Sequence, residues 1–153
     1  LNSRKEFIKA KIKTAEEIGY PEIELPDVNA KKIKLSEVDS KVVILYFWNP
    51  SDAEQKMFNL DVLAPVYEKY HDKGFEIYQV SLDVDNGLWA RVVREQKLSW
   101  TNVSDISAGA SRYVLAYNLT KLPNAFLIGG DGMSGAKISD AASLSAAIEK
   151  ALN

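Results

Sequence analysis

Few side chains in this sequence could carry out chemistry. Cysteine is absent and His71 is the single histidine, which excludes disulfides, thiol catalysis, zinc-finger clusters and catalytic arrangements with more than one imidazole. Asp52 could act as an acid or base, but no partner histidine or second convergent group lies near it in the sequence. We interpret His71 as a solvated surface residue, and we expect neither a metal nor a cofactor.

Two further motifs resemble ligand loops but are more typical of turns. Asp83 and Asp85 have a calcium-loop spacing, yet the remaining EF-hand ligands and the terminal glutamate are missing, which favours a strand-end turn and a helix cap. The sequence Gly129-Gly-Asp-Gly132 joins two predicted strands. It lacks the Lys-Ser/Thr of a phosphate loop, so we predict a hairpin turn.

Ser51 and Glu54 have the spacing of a capping box at a helix start. In such a box the serine oxygen accepts a hydrogen bond from the third amide of the helix, and the glutamate side chain bonds back to the serine amide. A cap of this kind contributes about 0.5–2 kcal/mol to stability. The sequence therefore predicts a stabilising role for Ser51.

Length and composition indicate one ordinary globular domain. The chain has 153 residues, of which 46% are hydrophobic and 26% charged. No apolar run reaches the roughly 18 residues that a membrane span needs. The net charge of −2 leaves no basic surplus for binding nucleic acid.

Hydrophobic periodicity and turn residues predict mixed helices and strands. We predict a helix over residues 3–18, a hairpin from 23–25 and 33–35, a strand over 41–48, a helix over 52–72 that Pro65 kinks or divides, a strand over 75–82, a helix over 86–97, an extended piece at 100–103, a helix over 109–117, strands at 125–128 and near 136–139, and a helix over 141–152 capped by Ser139 or Asp140. The alternation in the middle predicts parallel strands joined by right-handed crossovers. The last two strands, joined by a tight turn, should be antiparallel.

The sequence Phe47-Trp48-Asn49-Pro50 after the central strand carries a resemblance to a known family. Over residues 21–152 the chain is similar to the TlpA/ResA-like, AhpC/TSA-related thiol–disulfide oxidoreductases of bacterial envelopes, in which this sequence is followed by x-Cys-x-x-Cys. Asp52 and Gln55 occupy the two cysteine positions here. Leu122-Pro123 matches the family's cis-proline, which lies opposite the redox motif.

This resemblance implies an α/β fold, a thioredoxin-like three-layer sandwich whose mixed central sheet is flanked by helices, with an N-terminal hairpin and helix. It divides the chain into a helix or linker at residues 1–20 and a thioredoxin-like domain at 21–153. It also implies the periplasm or cell envelope of a Gram-negative bacterium, with membrane attachment only through a segment preceding residue 1.

Thiol–disulfide exchange needs a thiolate that attacks sulfur, and neither aspartate nor glutamine can replace it. We therefore expect a catalytically degenerate domain that binds a protein or peptide beside the proline loop by strand-like pairing. The candidate binding residues are Trp48, Ser51, Asp52, Leu122 and Pro123. Two alternatives stay open: a structural module of a longer envelope protein, and an oxidoreductase-like protein that works with thiols supplied by a partner. We expect no nucleic-acid partner.

Overall fold

The computed structural model describes residues 20–129, 132–136 and 140–153. The helix predicted over residues 3–18 lies outside these ranges, as do residues 137–139 of the strand predicted near 136–139. The division of the chain at residue 20 therefore stays a prediction.

A two-stranded hairpin precedes the main sheet. Strand β1 (Glu24–Pro26) pairs antiparallel with β2 (Lys32–Lys34), as the alternating apolar residues predict. A 3-10 turn at Leu35–Glu37 follows. The amide of Leu35 donates to the carbonyl oxygen of Ile23 at 2.9 Å, so the turn is fastened to the first strand.

The central sheet has five strands in the order β5-β4-β3-β6-β7. They are β3 (Val42–Trp48), β4 (Phe75–Ser81), β5 (Thr101–Ser104), β6 (Asn124–Gly129) and β7 (Gly132–Ala136). β3, β4 and β5 are parallel, whereas β6 and β7 are antiparallel to their neighbours. Every residue of β3 is buried, because this strand is central and covered on both faces, as its continuous apolar run predicts.

The long helix predicted over residues 52–72 is divided. It comprises α1 (Ala53–Phe58), a π-helical segment (Asn59–Leu63), α2 (Ala64–Tyr70) and a 3-10 turn (His71–Lys73). The amide of Ala64 donates to the carbonyl oxygen of Asn59, one residue further back than in an α-helix. Pro65 has no amide proton to donate, so the α-helical hydrogen-bond pattern cannot continue through this position. The π-helical turn lies directly before it.

The remaining helices are α3 (Asn86–Glu95), α4 (Arg112–Ala116) and α5 (Ala141–Leu152). The helix predicted over 109–117 is shorter, because a 3-10 turn at Ala108–Ala110 precedes the α4 cap at Ser111. The cap of α5 is Asp140, whose side chain accepts from the amide of Ser143. Within the described ranges, no helix is long and apolar enough to cross a membrane.

Two hydrophobic cores lie on opposite faces of the sheet. Tyr46 and Trp48 of β3 pack with α1–α2, α3 and α5 on one face. Phe47 packs on the other face with the β1–β2 hairpin and α4. This arrangement of helices on both faces of a mixed sheet confirms the predicted three-layer α/β fold.

Candidate functional site

The edge at which the parallel strands end brings the predicted site residues together. The amide of Leu82 donates to the carbonyl oxygen of Trp48, and that of Asp105 donates to Ser81, both at 2.9 Å. The segments that follow β3, β4 and β5 therefore leave the sheet side by side. In the β3–β6 register Phe47 pairs with Asn124, so the preceding Pro123 lies one step further along, beside the end of β3.

The loop of residues 120–123, here called the proline loop, reaches the surface at this edge. The Leu122–Pro123 peptide bond is cis. Leu122 is half-buried and Pro123 is exposed. The structure therefore places the proline loop next to the segment that begins with Asn49, as the family resemblance implies.

The helix start at this edge is capped by Asp52, and the predicted capping box at Ser51 and Glu54 is wrong. Asp52 Oδ1 accepts from the amide of Gln55 at 3.0 Å. The Ser51 hydroxyl instead donates to Oδ2 of Asp83 at 2.5 Å. A buried carboxylate is a stronger acceptor than a neutral group, and it draws the Ser51 side chain away from the helix.

Gln55 is buried, with 7% of its surface exposed, and it holds the turn before α1. Its Oε1 accepts from the amide of Asn49 at 2.7 Å. Asn49 Oδ1 in turn accepts from the amide of Ser51 at 2.9 Å. Both positions that the family resemblance assigns to cysteine therefore have structural hydrogen bonds here: Asp52 caps the helix and Gln55 fixes the turn.

Asp83 and Asp85 form the predicted strand-end turn and helix cap. Asp83 Oδ1 accepts from the amide of Asp85 at 2.8 Å, and Asp85 Oδ1 accepts from the amide of Leu88 at 2.9 Å, capping α3. In the ranges that the structure describes, no group of three or more histidine, aspartate or glutamate side chains could hold a metal ion. β6 and β7 pair antiparallel with Gly129 opposite Gly132, and residues 130 and 131 of the hairpin turn predicted between them lie outside the described ranges.

The indole of Trp48 does not line the surface. It is fully buried beneath α1 and α2, because Trp48 lies on the same face of β3 as Tyr46. The expectation that Trp48 borders a binding surface is therefore wrong for its side chain. His71 is exposed, as expected, and its imidazole lies 3.5 Å from Asp72 and 3.8 Å from Glu76.

Tyr46 is a buried titratable group close enough to the α1 cap for its hydroxyl to be influenced by the charge of Asp52. Its ring stacks on Phe58 with centroids 6.0 Å apart, and its hydroxyl has no hydrogen-bond partner among the described residues. Burial raises the pKa of this hydroxyl far above its usual range, and the negative charge of Asp52 raises it further. Tyr46 stays protonated at any physiological pH and supplies no base.

An apolar pocket beside the proline loop was missed by sequence reasoning. It has a volume of about 180 Å³. Its lining residues are Leu82, Ala108, Gly109, Val114, Leu119, Thr120, Lys121 and Leu122. These come from three separate parts of the chain, so local sequence patterns carry no sign of the pocket.

The cap at Asp52 leads to a stability prediction. Asp52→Ala should lower the free energy of unfolding by about 0.5–2 kcal/mol, because the Gln55 amide loses its acceptor. Asp52→Asn is the matched control and should stay within a few tenths of a kcal/mol, since asparagine caps as well as aspartate. Urea unfolding followed by circular dichroism measures both. Equal losses in the two variants would contradict the cap assignment.

Comparisons with known proteins identify the family of this chain. Residues 19–133 match the model of the AhpC/TSA family. The thiol-disulfide oxidoreductase ResA of Bacillus thuringiensis subsp. konkukian (strain 97-27) is 30% identical over 122 residues, covering 76% of this chain and 66% of that protein. ResA of Bacillus subtilis (strain 168) is 29% identical over 113 residues, covering 73% of this chain and 60% of that protein. The chain thus spans about two thirds of the length of these relatives.

Solved structures show the same fold. A thioredoxin-like protein from Bacteroides vulgatus is 34% identical, with a TM-score of 0.74 over 87% of this chain and 86% of that one. The thioredoxin domain of a thiol-disulfide oxidoreductase from the same organism is 26% identical, with a TM-score of 0.76 over 87% of this chain and 94% of that one. The chain therefore belongs to the AhpC/TSA family and has a thioredoxin-like fold, and it contains no cysteine.

Proposed function

We propose that this chain is a thioredoxin-like module that has no thiol–disulfide chemistry of its own and binds an extended protein or peptide segment along the proline loop. Exchange begins when a thiolate attacks a disulfide sulfur, and the chain contains no cysteine. Asp52 and Gln55 hold the helix start in shape through hydrogen bonds to the amides of Gln55 and Asn49. The former redox motif therefore serves to stabilise this edge.

The backbone of the proline loop carries the proposal. Within the described residues, the main-chain N–H and C=O groups of Lys121 and Leu122 make no hydrogen bond. Main-chain groups of this kind are strong donors and acceptors that need partners when covered. An extended segment laid beside them would pair as an added strand does. Ser51 and Asp52 are exposed at the same edge, where they would border such a segment.

The cellular location is part of the proposal. We propose the periplasm or envelope of a Gram-negative bacterium, supported by the similarity to thiol-disulfide oxidoreductases from Bacteroides. Fractionation of cells that express the full-length gene measures it. Recovery with cytoplasmic markers would contradict this part of the proposal and leave the binding site unaffected.

Selection from a displayed heptapeptide library on the immobilised domain tests the binding function. We expect peptides to be enriched on the wild-type domain and enrichment to be lost with Leu122→Asp, because a buried carboxylate opposes an apolar peptide side chain. Met57→Asp is the matched control. Met57 is 53% exposed on α1, which packs on the opposite face of the sheet, so this variant should select the same peptides.

Two results would contradict the proposal. An absence of enrichment over the bare support would favour the alternative of a purely structural module. Enrichment that survives Leu122→Asp unchanged would place binding elsewhere on the domain. Circular dichroism of both variants shows whether the fold is kept.

A further inference from the structure

The first residue of α3 is an exposed asparagine followed by a backbone amide that has no partner. Asn86 and Gly87 are both exposed and begin the helix. Within the described residues, neither the side chain of Asn86 nor the N–H of Gly87 makes a hydrogen bond. The first N–H groups of a helix have no acceptor inside it, so the Gly87 nitrogen is not held by another group.

A side-chain amide next to a free backbone nitrogen can undergo an intramolecular reaction. The Gly87 nitrogen loses its proton to water or hydroxide and attacks Cγ of the Asn86 side chain. A bond forms between these two atoms, the bond from Cγ to the side-chain nitrogen breaks, and ammonia leaves. Water then opens the resulting succinimide ring at either of its carbonyl carbons. The product is aspartate or isoaspartate at position 86, with one water consumed for each ammonia released.

Gly87 offers little resistance to this ring closure. Glycine has no Cβ, and its backbone reaches conformations that other residues avoid. Apart from the adjoining residues and the helix backbone, the heavy atom nearest to the place of a Cβ is Oδ1 of Asp85, at 3.6 Å. The surroundings of Gly87 are therefore uncrowded, and alanine fits at this position without a clash.

The exposed asparagines at positions 29 and 118 lack this arrangement. The amide that follows Asn29 donates to the carbonyl oxygen of Asp27 at 3.0 Å, and the amide that follows Asn118 donates to that of Val114 at 2.9 Å. Both of these nitrogens are held in hydrogen bonds, and both belong to residues with a Cβ. Asn86 therefore differs from them in the residue that follows and in the freedom of its amide.

The cap of α3 restrains the reaction. Ring closure must bring Cγ of Asn86 onto the Gly87 nitrogen, which a helical backbone at Asn86 does not allow, so the first turn has to open. Asp85 closes this turn, because its Oδ1 accepts from the amide of Leu88 at 2.9 Å and its carbonyl oxygen accepts from that of Trp89 at 3.2 Å. Helix ends fray, and the Asp85 cap opposes fraying at this end.

We propose that the Asn86–Gly87 peptide is a site of spontaneous deamidation and that the Asp85 cap controls its rate. The inference goes beyond the proposed function and does not depend on it, because only atoms of this chain and water take part.

The two products change the start of α3 in different ways. Aspartate at position 86 adds a carboxylate at the positive end of the helix, where negative charge is favourable. Isoaspartate carries the main chain through its side chain, which lengthens it by one atom ahead of Trp89. Trp89 is buried in the core that this helix shares with the sheet. We therefore expect the isoaspartate form to unfold at a lower temperature than Asn86→Asp, which reproduces the aspartate product.

Peptide mapping after incubation of the full chain at physiological temperature and mildly alkaline pH tests the proposal. Trypsin releases residues 74–91, in which Asn86 is the one asparagine, and residues 113–121, in which Asn118 is. Mass spectrometry measures conversion of the amide to the acid, and chromatography separates the two products, with the Asn86→Asp peptide as the standard for aspartate. We expect residues 74–91 to convert progressively to both products, while residues 113–121 stay unchanged.

Three variants test the mechanism and its control. Gly87→Ala should convert at least about tenfold more slowly, because a Cβ restricts the backbone that closes the ring. Asp85→Ala should convert about two- to thirtyfold faster, the factor that corresponds to the roughly 0.5–2 kcal/mol of a lost cap. Asp85→Ser is the matched control. It removes the same charge and caps about as well as aspartate, so its rate should stay close to that of the wild type.

Each comparison can contradict one part of the proposal. Conversion of Asn86 no faster than that of Asn118 would overturn the site. Equal rates in the wild type and in Gly87→Ala would overturn the ring mechanism, and equal rates in Asp85→Ala and Asp85→Ser would overturn control by the cap. A variant that unfolds is recognised by circular dichroism and by conversion of Asn118 in the same digest, and the wild-type comparison of Asn86 with Asn118 then still decides the site.

Discussion

Replacing Asp52 and Gln55 together with cysteine is expected to give a variant that reduces insulin in the presence of dithiothreitol, whereas the cysteine-free wild-type domain is expected not to. Asp52 lies at the N-cap of α1, where free amides and the helix dipole stabilise an anion. A cysteine thiol in this place has a pKa lowered to about 3.5–7.5 in comparable motifs. Gln55 lies three residues after Asp52 and is buried, as suits a resolving thiol.

Insulin turbidity measures this gain, and mass spectrometry after oxidation shows the intramolecular disulfide. The serine pair Asp52→Ser with Gln55→Ser is the matched control and should be inactive, as should the wild-type domain, because neither contains a thiolate. Insulin reduction by the wild-type domain above the protein-free rate would show that the domain is not degenerate. If the folded double-cysteine variant forms no intramolecular disulfide, the correspondence of these two positions with the family motif is wrong.

The second large predicted effect is a loss of stability on replacing Asn59, which lies in a buried network of hydrogen-bonded polar side chains. Trp100 Nε1 donates to Gln79 Oε1 at 2.6 Å, and Gln79 Nε2 donates to Asn59 Oδ1 at 2.8 Å. Asn59 Nδ2 donates to Gln96 Oε1 at 3.0 Å, and Gln96 Nε2 donates to the carbonyl oxygen of Lys56 at 3.0 Å. These hydrogen bonds join the π-helical segment to β4, to Trp100 just before β5 and to the C-cap of α3.

Asn59→Leu is expected to lower the free energy of unfolding by about 2–6 kcal/mol, because it leaves one donor of Gln79 and one acceptor of Gln96 without a partner, at about 1–3 kcal/mol each. This is a large part of the roughly 5–15 kcal/mol of a typical domain. Asn86→Leu, at the exposed start of α3, is the control and should change stability by less than about 0.5 kcal/mol. Chemical denaturation gives both values. A loss below 1 kcal/mol for Asn59→Leu would show that water replaces the missing partner.

The strands of the sheet and their parallel core could be predicted from the sequence. The lack of a cysteine thiol can be read from it directly. The apolar run Val42–Trp48 can be recognised as a buried strand from its own composition and length, which do not depend on distant residues. The missing cysteines exclude the exchange reaction whatever the tertiary structure. The hairpin and the cap at Asp85 also depend on neighbouring residues only, and the structure confirms them.

The details of the site depend on contacts between distant parts of the chain. Ser51 fits a capping box by spacing, yet Asp83, 32 residues later, takes its hydroxyl and leaves the cap to Asp52. Trp48 belongs to the motif that leads to this surface, but the pleat of β3 turns its indole under α1 and α2. The pocket brings together Leu82 and Val114, which are far apart in the sequence. Sequence alone determined that the protein has no thiol, whereas tertiary structure decided which side chains reach the surface at this edge, because long-range packing sets the direction of each side chain.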